Sequence, residues 1–181
     1  MPAFTTIVPG RLWQVEDLLT AEQVSHIQSV DWNTLAWNQS PQQAGWLRRE
    51  IVWNEPEIQP ITPWLNAGLD QVNEATGSAF TVAGGTFWVD QPGFQCPLHT
   101  DGHLANSLQM YWIVADDSYG TGFYYHKRTD SLLYQFASKP NTGYLMLNHA
   151  NPDGSQPLQW HAMLHPVPPN TIRVTSYWQF Q

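Results

Sequence analysis

From residue 79 onward the chain is interrupted about every ten residues by turn-forming pairs and triplets, and this spacing rules out most folds. Gly84-Gly85, Pro92-Gly93, Asp116-Asp117, Gly120-Thr121-Gly122, Lys139-Pro140-Asn141, Pro152-Asp153-Gly154 and Pro168-Pro169-Asn170 each favour a reversal. Between them lie aromatic and β-branched runs at 80–82, 85–89, 98–101, 108–114, 122–126, 132–135, 144–148, 158–161 and 172–180. Runs this short suit strands rather than helices. Many short strands at such intervals predict a mainly β chain folded as a double-sheet jelly roll, not an alternating α/β fold.

The N-terminal part, about residues 11–78, reads differently. Residues 4–13 alternate loosely and break at Pro9-Gly10, as a short strand entering the fold would. Thr20-Ala21-Glu22-Gln23 has the form of a capping box, and Val24, Ile27 and Val30 follow at helical spacing, which predicts a helix over 21–29. Residues 31–43 read as strand then loop, and Gly45 to Trp53 as a strand in which Arg48 and Arg49 face opposite ways, so that one of them points to a pocket side. The simpler expectation for these arginines is solvation or pairing with Glu50 and Glu55. A second helix is expected to start with Thr62 as its cap and Pro63 at its first position, to present Trp64, Leu65, Leu69 and Val72 as one stripe, and to end at Gly77.

At 181 residues and 42% hydrophobic content, the chain has enough material for one sizeable core, and no repeat or linker divides it. A single domain over 1–181 is expected, with the jelly-roll core at about 79–181. The formal charge of -8 opposes binding to a phosphate backbone, so no nucleic-acid partner is expected. One cysteine, Cys96, excludes an internal disulfide and any zinc site built mainly from thiolates; it reads as a small buried hydrophobe. The first residues lack a basic n-region and apolar run, and no stretch is apolar for 18 residues, so a cytoplasmic protein without a membrane span is expected.

Chemistry concentrates in Gln95-Cys96-Pro97-Leu98-His99-Thr100-Asp101. Two residues is the repeat of a strand, so the imidazole of His99 and the carboxylate of Asp101 would share a face. A later imidazole would complete a set of two histidines and one carboxylate, which on iron leaves three open positions and is the arrangement of non-haem Fe(II) oxygenases. His161 and His165 are both candidates. His161 follows a turn on a plausible strand, whereas His165 precedes Pro166. His103, past Gly102, and His149, before Pro152-Asp153-Gly154, read as loop residues.

Taken together, these positions resemble the iron(II) and 2-oxoglutarate dependent dioxygenases, in particular the small prolyl-hydroxylase-like members. The resemblance covers roughly residues 10–180, with its specific motifs within 86–178. The run from Phe87 to His99 is similar to the strand, turn and strand by which that family enters its His-x-Asp. The run from Leu108 to Trp112, followed by Gly120-Thr121-Gly122-Phe123-Tyr124, is similar to the next two strands. The stretch from Pro168 to Tyr177 is similar to the last strand, where many relatives carry Arg-x-Ser; here Thr175 stands for the serine.

The resemblance implies a double-stranded β-helix in which His99, Asp101 and His161 hold Fe(II). It implies that Arg173, beside Thr175, meets the far carboxylate of 2-oxoglutarate, the bidentate task for which a planar guanidinium is suited. Oxidative decarboxylation with O2 would then give succinate and CO2, and a small molecule or peptide side chain would be hydroxylated. Tyr111, Trp88, Gln109 and Asn106 are expected near the cosubstrate, and residues 116–120 and 37–46 are candidate covers for the substrate. His161 lies twelve residues before Arg173, a little longer than the usual family interval, and His165 lies eight before it. A cupin-like metal protein is a competing expectation, although cupins usually offer His-x-His with a following Glu and no Glu follows His99 in this chain. A non-enzymatic jelly-roll interaction domain is another.

Overall fold

A computed structural model describes residues 2–38, 47–52, 55–101, 106–115, 120–147 and 159–181, and within them the strands form two antiparallel sheets. Ala3–Val8 (β1), Leu12–Glu16 (β2), Arg48–Glu50 (β3), Val82–Asp90 (β4), Asn106–Ile113 (β5), Thr142–Met146 (β8) and Arg173–Phe180 (β10) make the larger, in the order β1-β2-β8-β5-β10-β4-β3. Thr121–Tyr124 (β6), Leu132–Gln135 (β7) and Trp160–Met163 (β9) make the smaller, in the order β7-β6-β9. Two helices, Ala21–Ser29 (α1) and Ile61–Thr76 (α2), complete the elements. The mainly β, jelly-roll expectation holds.

Successive side chains on a strand point to opposite faces, and here the two faces of the large sheet have different chemistry. Phe87, Val89, Leu108, Met110, Trp112, Leu145, Val174, Trp178 and Phe180 join one apolar cluster with Ile27 of α1, with Trp32, and with Ile61, Leu65 and Val72 of α2. Full burial of each such helix side chain contributes roughly 1.5–3 kcal/mol, enough to hold both helices against the sheet. The intervening positions form rows across the other face: Thr175 lies opposite Tyr111 and Trp88, Tyr177 opposite Gln109, Gln109 opposite Tyr144, and Arg173 opposite Asp90. The small sheet covers part of this face, where Tyr111 and Tyr144 pack with Phe123 and Phe136.

Local signals set several elements. Thr20 and Gln23 exchange the two bonds of a capping box, the Thr20 hydroxyl accepting from the Gln23 amide and the Gln23 side chain accepting from the Thr20 amide. Gly77 ends α2 in the left-handed region at φ 66°. The break at Pro9-Gly10 separates two strands rather than ending one, and β1 and β2 form a hairpin.

Tertiary packing overrode other expectations. Helix α2 begins at Ile61, with Pro60 as its cap instead of Thr62, because Ile58 already offers its carbonyl to the amides of Ile61 and Thr62. Residues 31–37 make turns and a single bridge, Trp37 to Ile51, instead of a strand. Trp32 is drawn inward, and its indole N–H donates to the Ile27 carbonyl. Gly84-Gly85 lies inside β4 instead of in a turn, since β10 pairs with β4 from Asp90 to Val82.

Only Arg48–Glu50 of the Gly45 to Trp53 run is strand; Trp53, and residues 39–46 of one suggested cover, lie outside the described residues. So do Gly102, His103, residues 116–119, Asn148, His149 and Leu158. Among the described residues no helix is long and apolar enough to cross a membrane.

Gly143 marks the tightest approach in the large sheet. A Cβ there would meet the Gln109 carbonyl oxygen at 1.9 Å and Met110 Cα at 2.8 Å, both backbone atoms of the neighbouring strand. Gly143→Ala is expected to pry β5 from β8 and lower unfolding stability by about 1–3 kcal/mol, read from the midpoint of urea denaturation.

Candidate metal centre

The segment carrying His99 and Asp101 is not the strand its sequence suggests. Residues 91–101, with a turn at Pro92-Gly93 and a bend at Leu98, pass beside β9 and touch it at separate points. The Met163 amide donates to the Cys96 carbonyl at 3.1 Å, and His99 and His161 exchange both backbone bonds at 3.0 and 2.9 Å. Pro92, Gly93 and Pro97 break up the segment, and one His99–His161 bridge is its ladder. That bridge seats the two imidazoles side by side, with ring centroids 4.3 Å apart.

Asp101 closes the group. One of its oxygens, Oδ1, lies 3.4 Å from His99 Nε2 and 3.5 Å from His161 Nε2, and the three donor atoms lie within 4.8 Å of one another. Both histidines turn their other nitrogen to the backbone: His99 Nδ1 is 2.7 Å from the Pro97 carbonyl and His161 Nδ1 is 3.0 Å from the Gln159 carbonyl. A carbonyl can only accept, so each Nδ1 carries the proton and each Nε2 presents its lone pair when the ring is neutral. Outer bonds of this kind fix tautomer and orientation for a metal. Tyr177 donates its hydroxyl to Asp101 Oδ2 at 3.4 Å, and His161 stacks on Phe123 at 5.3 Å. Two nitrogens and one carboxylate oxygen suit a divalent transition metal and leave other positions free.

Without a metal these groups share a proton. The hydrogen bond to Asp101, with help from Cys96, pushes His99 up to about 10, whereas burial pulls His161 down. Burial acting alone would raise Asp101, but its bond to His99 and the nearby His161 outweigh it and leave the carboxyl below its ordinary value. A bound metal takes the place of that proton.

The cluster opens into a small cavity whose wall also includes Arg48, Trp88, Gln109, Tyr144, Arg173 and Tyr177. Arg173 is 3% exposed, and Asp90 Oδ2 accepts from its Nε at 2.9 Å and its Nη2 at 2.6 Å. Among the described residues its Nη1 is buried without a hydrogen-bond partner, as is Thr175 Oγ1. Gln109 lines the cavity and accepts from the Tyr144 hydroxyl at 2.8 Å. Tyr111 stands one layer back, its hydroxyl 2.6 Å from that of Thr121 on the wall.

Of the two late histidines, His161 joins the cluster while His165 sits exposed on a bend beyond β9. Trp88 lines the cavity; Asn106, at the start of β5, does not. The pairing of Arg48 with Glu50 or Glu55 is corrected: its partner is Asp90, at 2.6 Å from Nε to Oδ1. Asp90, Tyr144 and Tyr177 went unassigned in the sequence. A carboxylate within Phe87-Trp88-Val89-Asp90 was the available signal, since an acid on a strand this apolar needs a buried cation.

Burial would raise the pKa of Asp90, but Arg48 and Arg173 together hold it below its ordinary value. A carboxyl depressed on folding adds stability that is complete above its unfolded value of about 3.9 and is lost as pH falls through the lower folded value. Asp90→Asn leaves the buried Arg173 and the partly buried Arg48 without a counter-charge and is expected to cost about 3–5 kcal/mol near neutral pH. The gap between wild type and variant should narrow as pH drops below about 4, measured by chemical denaturation across pH.

No family model matches this chain, and no curated protein matches it by sequence. Solved structures do. A viral collagen prolyl hydroxylase from Paramecium Bursaria Chlorella virus-1, crystallised as its 2OG complex, superposes with a TM-score of 0.62 at 14% identity over 94% of this chain and 96% of that one. An oxidoreductase of the 2OG-Fe(II) oxygenase family from Burkholderia pseudomallei gives 0.64 at 13% identity, over 96% and 85%. HygX from Streptomyces hygroscopicus, with nickel and 2-oxoglutarate bound, gives 0.63 at 10% identity, over 93% and 82%. The likeness is one of fold: this chain has the jelly roll of the 2OG-Fe(II) oxygenases, with a His-Asp-His cluster inside it.

Proposed function

We propose that this jelly roll is an Fe(II)- and 2-oxoglutarate-dependent oxygenase that hydroxylates a small molecule or a peptide side chain. The observation that carries the reading is the joint placement of the His99-Asp101-His161 cluster and Arg173 in the lining of one cavity, the Arg173 Nη1 being buried and, among the described residues, without a partner. Donor chemistry and orphaned atom fit the two ends of the proposed group. Nε2 of His99, Nε2 of His161 and an oxygen of Asp101 would hold iron. Arg173, with the hydroxyl of Thr175 beside it, would meet the far carboxylate of 2-oxoglutarate. When bound, the iron and its cosubstrate supply the oxidising chemistry with O2, yielding succinate, CO2 and hydroxylated product.

The remaining residues orient and exclude. The Pro97 and Gln159 carbonyls keep each imidazole's proton on Nδ1, so that neither ring has to change tautomer to bind metal. Tyr177 keeps Asp101 from rotating, and its stacking on Trp88 at 5.0 Å fixes its own position. Burial and the Asp101 charge push Tyr177 up to about 12, which leaves its hydroxyl a neutral donor at physiological pH. Tyr144 and Gln109 tie each other down along the wall. With Tyr111, Phe123 and Phe136 packed behind them, they restrict water at that end of the cavity.

Incubation of the Fe(II)-loaded protein with 2-oxoglutarate and O2 is expected to release succinate, and omission of iron or cosubstrate to abolish it. Full iron loading with no consumption of 2-oxoglutarate, with candidate substrates present or absent, would overturn the reading in favour of a metal-binding jelly roll. His161→Ala should weaken Mn(II) or Co(II) binding by at least about 100-fold, because even outer partners of a ligand are worth 10- to 100-fold. His165→Ala should leave it unchanged. Calorimetric titration under anaerobic conditions measures both.

A further inference from the structure

Arg48 is unexplained by the reading above. It comes from the short edge strand β3, 42 positions before Asp90, yet its guanidinium lies in the wall of the metal cavity. The reason is register. Asp90 of β4 stands directly opposite Arg48 of β3 on one side and Arg173 of β10 on the other, so the three side chains form one row across three neighbouring strands, all on the cavity face.

Asp90 Oδ1 accepts from Arg48 Nε at 2.6 Å, and its Oδ2 accepts from Arg48 Nη2 at 3.1 Å and from Arg173 Nη2 at 2.6 Å. One carboxylate oxygen thus holds a nitrogen of each guanidinium, which makes the two cations immediate neighbours. Their charges do not balance. Two permanent cations share one fully buried carboxylate behind the wall, and the only carboxylate among the described wall residues, Asp101, belongs to the His-Asp-His cluster.

With the Arg173 side chain 3% and that of Arg48 15% exposed, the surplus charge is largely held out of water, which is costly unless an anion joins it. The surplus is also pre-oriented: the Arg48 guanidinium is clamped between the ring faces of Trp88 at 4.2 Å and Phe94 at 4.4 Å, while the Nη1 of Arg173 is buried and unpartnered. Fixing the donors before binding removes an ordering cost that a flexible arginine would incur. A carboxylate is the anion that a planar guanidinium fork matches.

We propose that Arg48 is a second arginine of the cosubstrate pocket, so that the Arg48–Asp90–Arg173 row is a two-guanidinium receptor selecting a 2-oxo acid that carries a second carboxylate. This rests on the functional reading above and extends it: Arg48 and Arg173 are binding residues, and Asp90 is the positioning residue that spaces them. The row then sets which 2-oxo acid is accepted, independently of the metal ligands that grip its other end.

The test uses the full chain loaded with Co(II) under anaerobic conditions and compares, by calorimetry, the affinity for 2-oxoglutarate with that for 2-oxobutanoate, which lacks the far carboxylate. Wild type is expected to prefer the dicarboxylate. Arg48→Met is expected to weaken 2-oxoglutarate about 10- to 100-fold, the scale of one or two hydrogen bonds between charged groups, and to leave 2-oxobutanoate and Co(II) binding unchanged. Arg48→Lys keeps the charge and the stem packed on Trp88 and Phe94, which guards against a failure to fold; it should retain part of the preference. An unaltered preference in both variants overturns the proposal. Equal weakening of both acids also overturns it, since that marks a structural role alone. If Co(II)-loaded wild type binds neither acid, the functional reading fails and the proposal with it; if wild type prefers 2-oxoglutarate and the variants do too, only the role of Arg48 fails.

Discussion

A strand that is apolar on one face and polar on the other must be covered twice, and every later feature of this molecule follows from how that is done. Helices α1 and α2 cover the apolar face of the seven-stranded sheet, where Ile27, Ile61 and Val72 are sealed from solvent. The three-stranded sheet and the segment along β9 cover part of the opposite face, leaving a cavity lined by polar and charged groups. A slip of one residue in any central strand would exchange the faces, placing Arg173 and Thr175 among the helices and Val174 in the cavity. The arginine row and the apolar core are therefore consequences of the same register.

Burial of polar groups then decides where chemistry can occur. Most buried polar side chains here have partners: Asp90 has two arginines, Tyr144 has Gln109, and Trp112 has Ser176. Arg173 Nη1 and Thr175 Oγ1, two positions apart on β10, are exceptions among the described residues. Unmade hydrogen bonds in a low-dielectric interior are expensive, so orphaned atoms beside the His-Asp-His cluster support the ligand proposed there. The His-Asp-His cluster follows the same logic. Each imidazole is pinned at Nδ1 by a backbone carbonyl, and the Asp101 carboxylate is shared between the two Nε2 atoms.

Much of this was legible along the chain. His99 and Asp101 could be named from their strand-like spacing and His161 from its place after a turn, while Arg173 was named through the resemblance to the 2-oxoglutarate dependent dioxygenases. The choice between His161 and His165 could not be closed by spacing, since it turned on where β9 ended; the fold seats His161 beside His99 and Asp101 and leaves His165 exposed on a bend. Tyr177 and Tyr144 were hidden by their ordinariness, for an aromatic on a strand is usually core. Asp90 was hidden for a different reason: one of its partners lies 42 residues away and the other 83, and neither neighbourhood mentions it.

The sequence by itself determined the alternation of short strands, the capped helix at Thr20, the left-handed end of α2 at Gly77 and which side chains were candidates for chemistry. These are properties of windows of a few residues, in which backbone sterics and local hydrogen bonds dominate. Tertiary structure alone decided that β3 lies beside β4, that residues 91–101 lie as an irregular edge along β9, and that Arg48, Asp90 and Arg173 meet in one row. Strand order and register are settled by the fit of whole faces against one another, and no short stretch of chain contains that information.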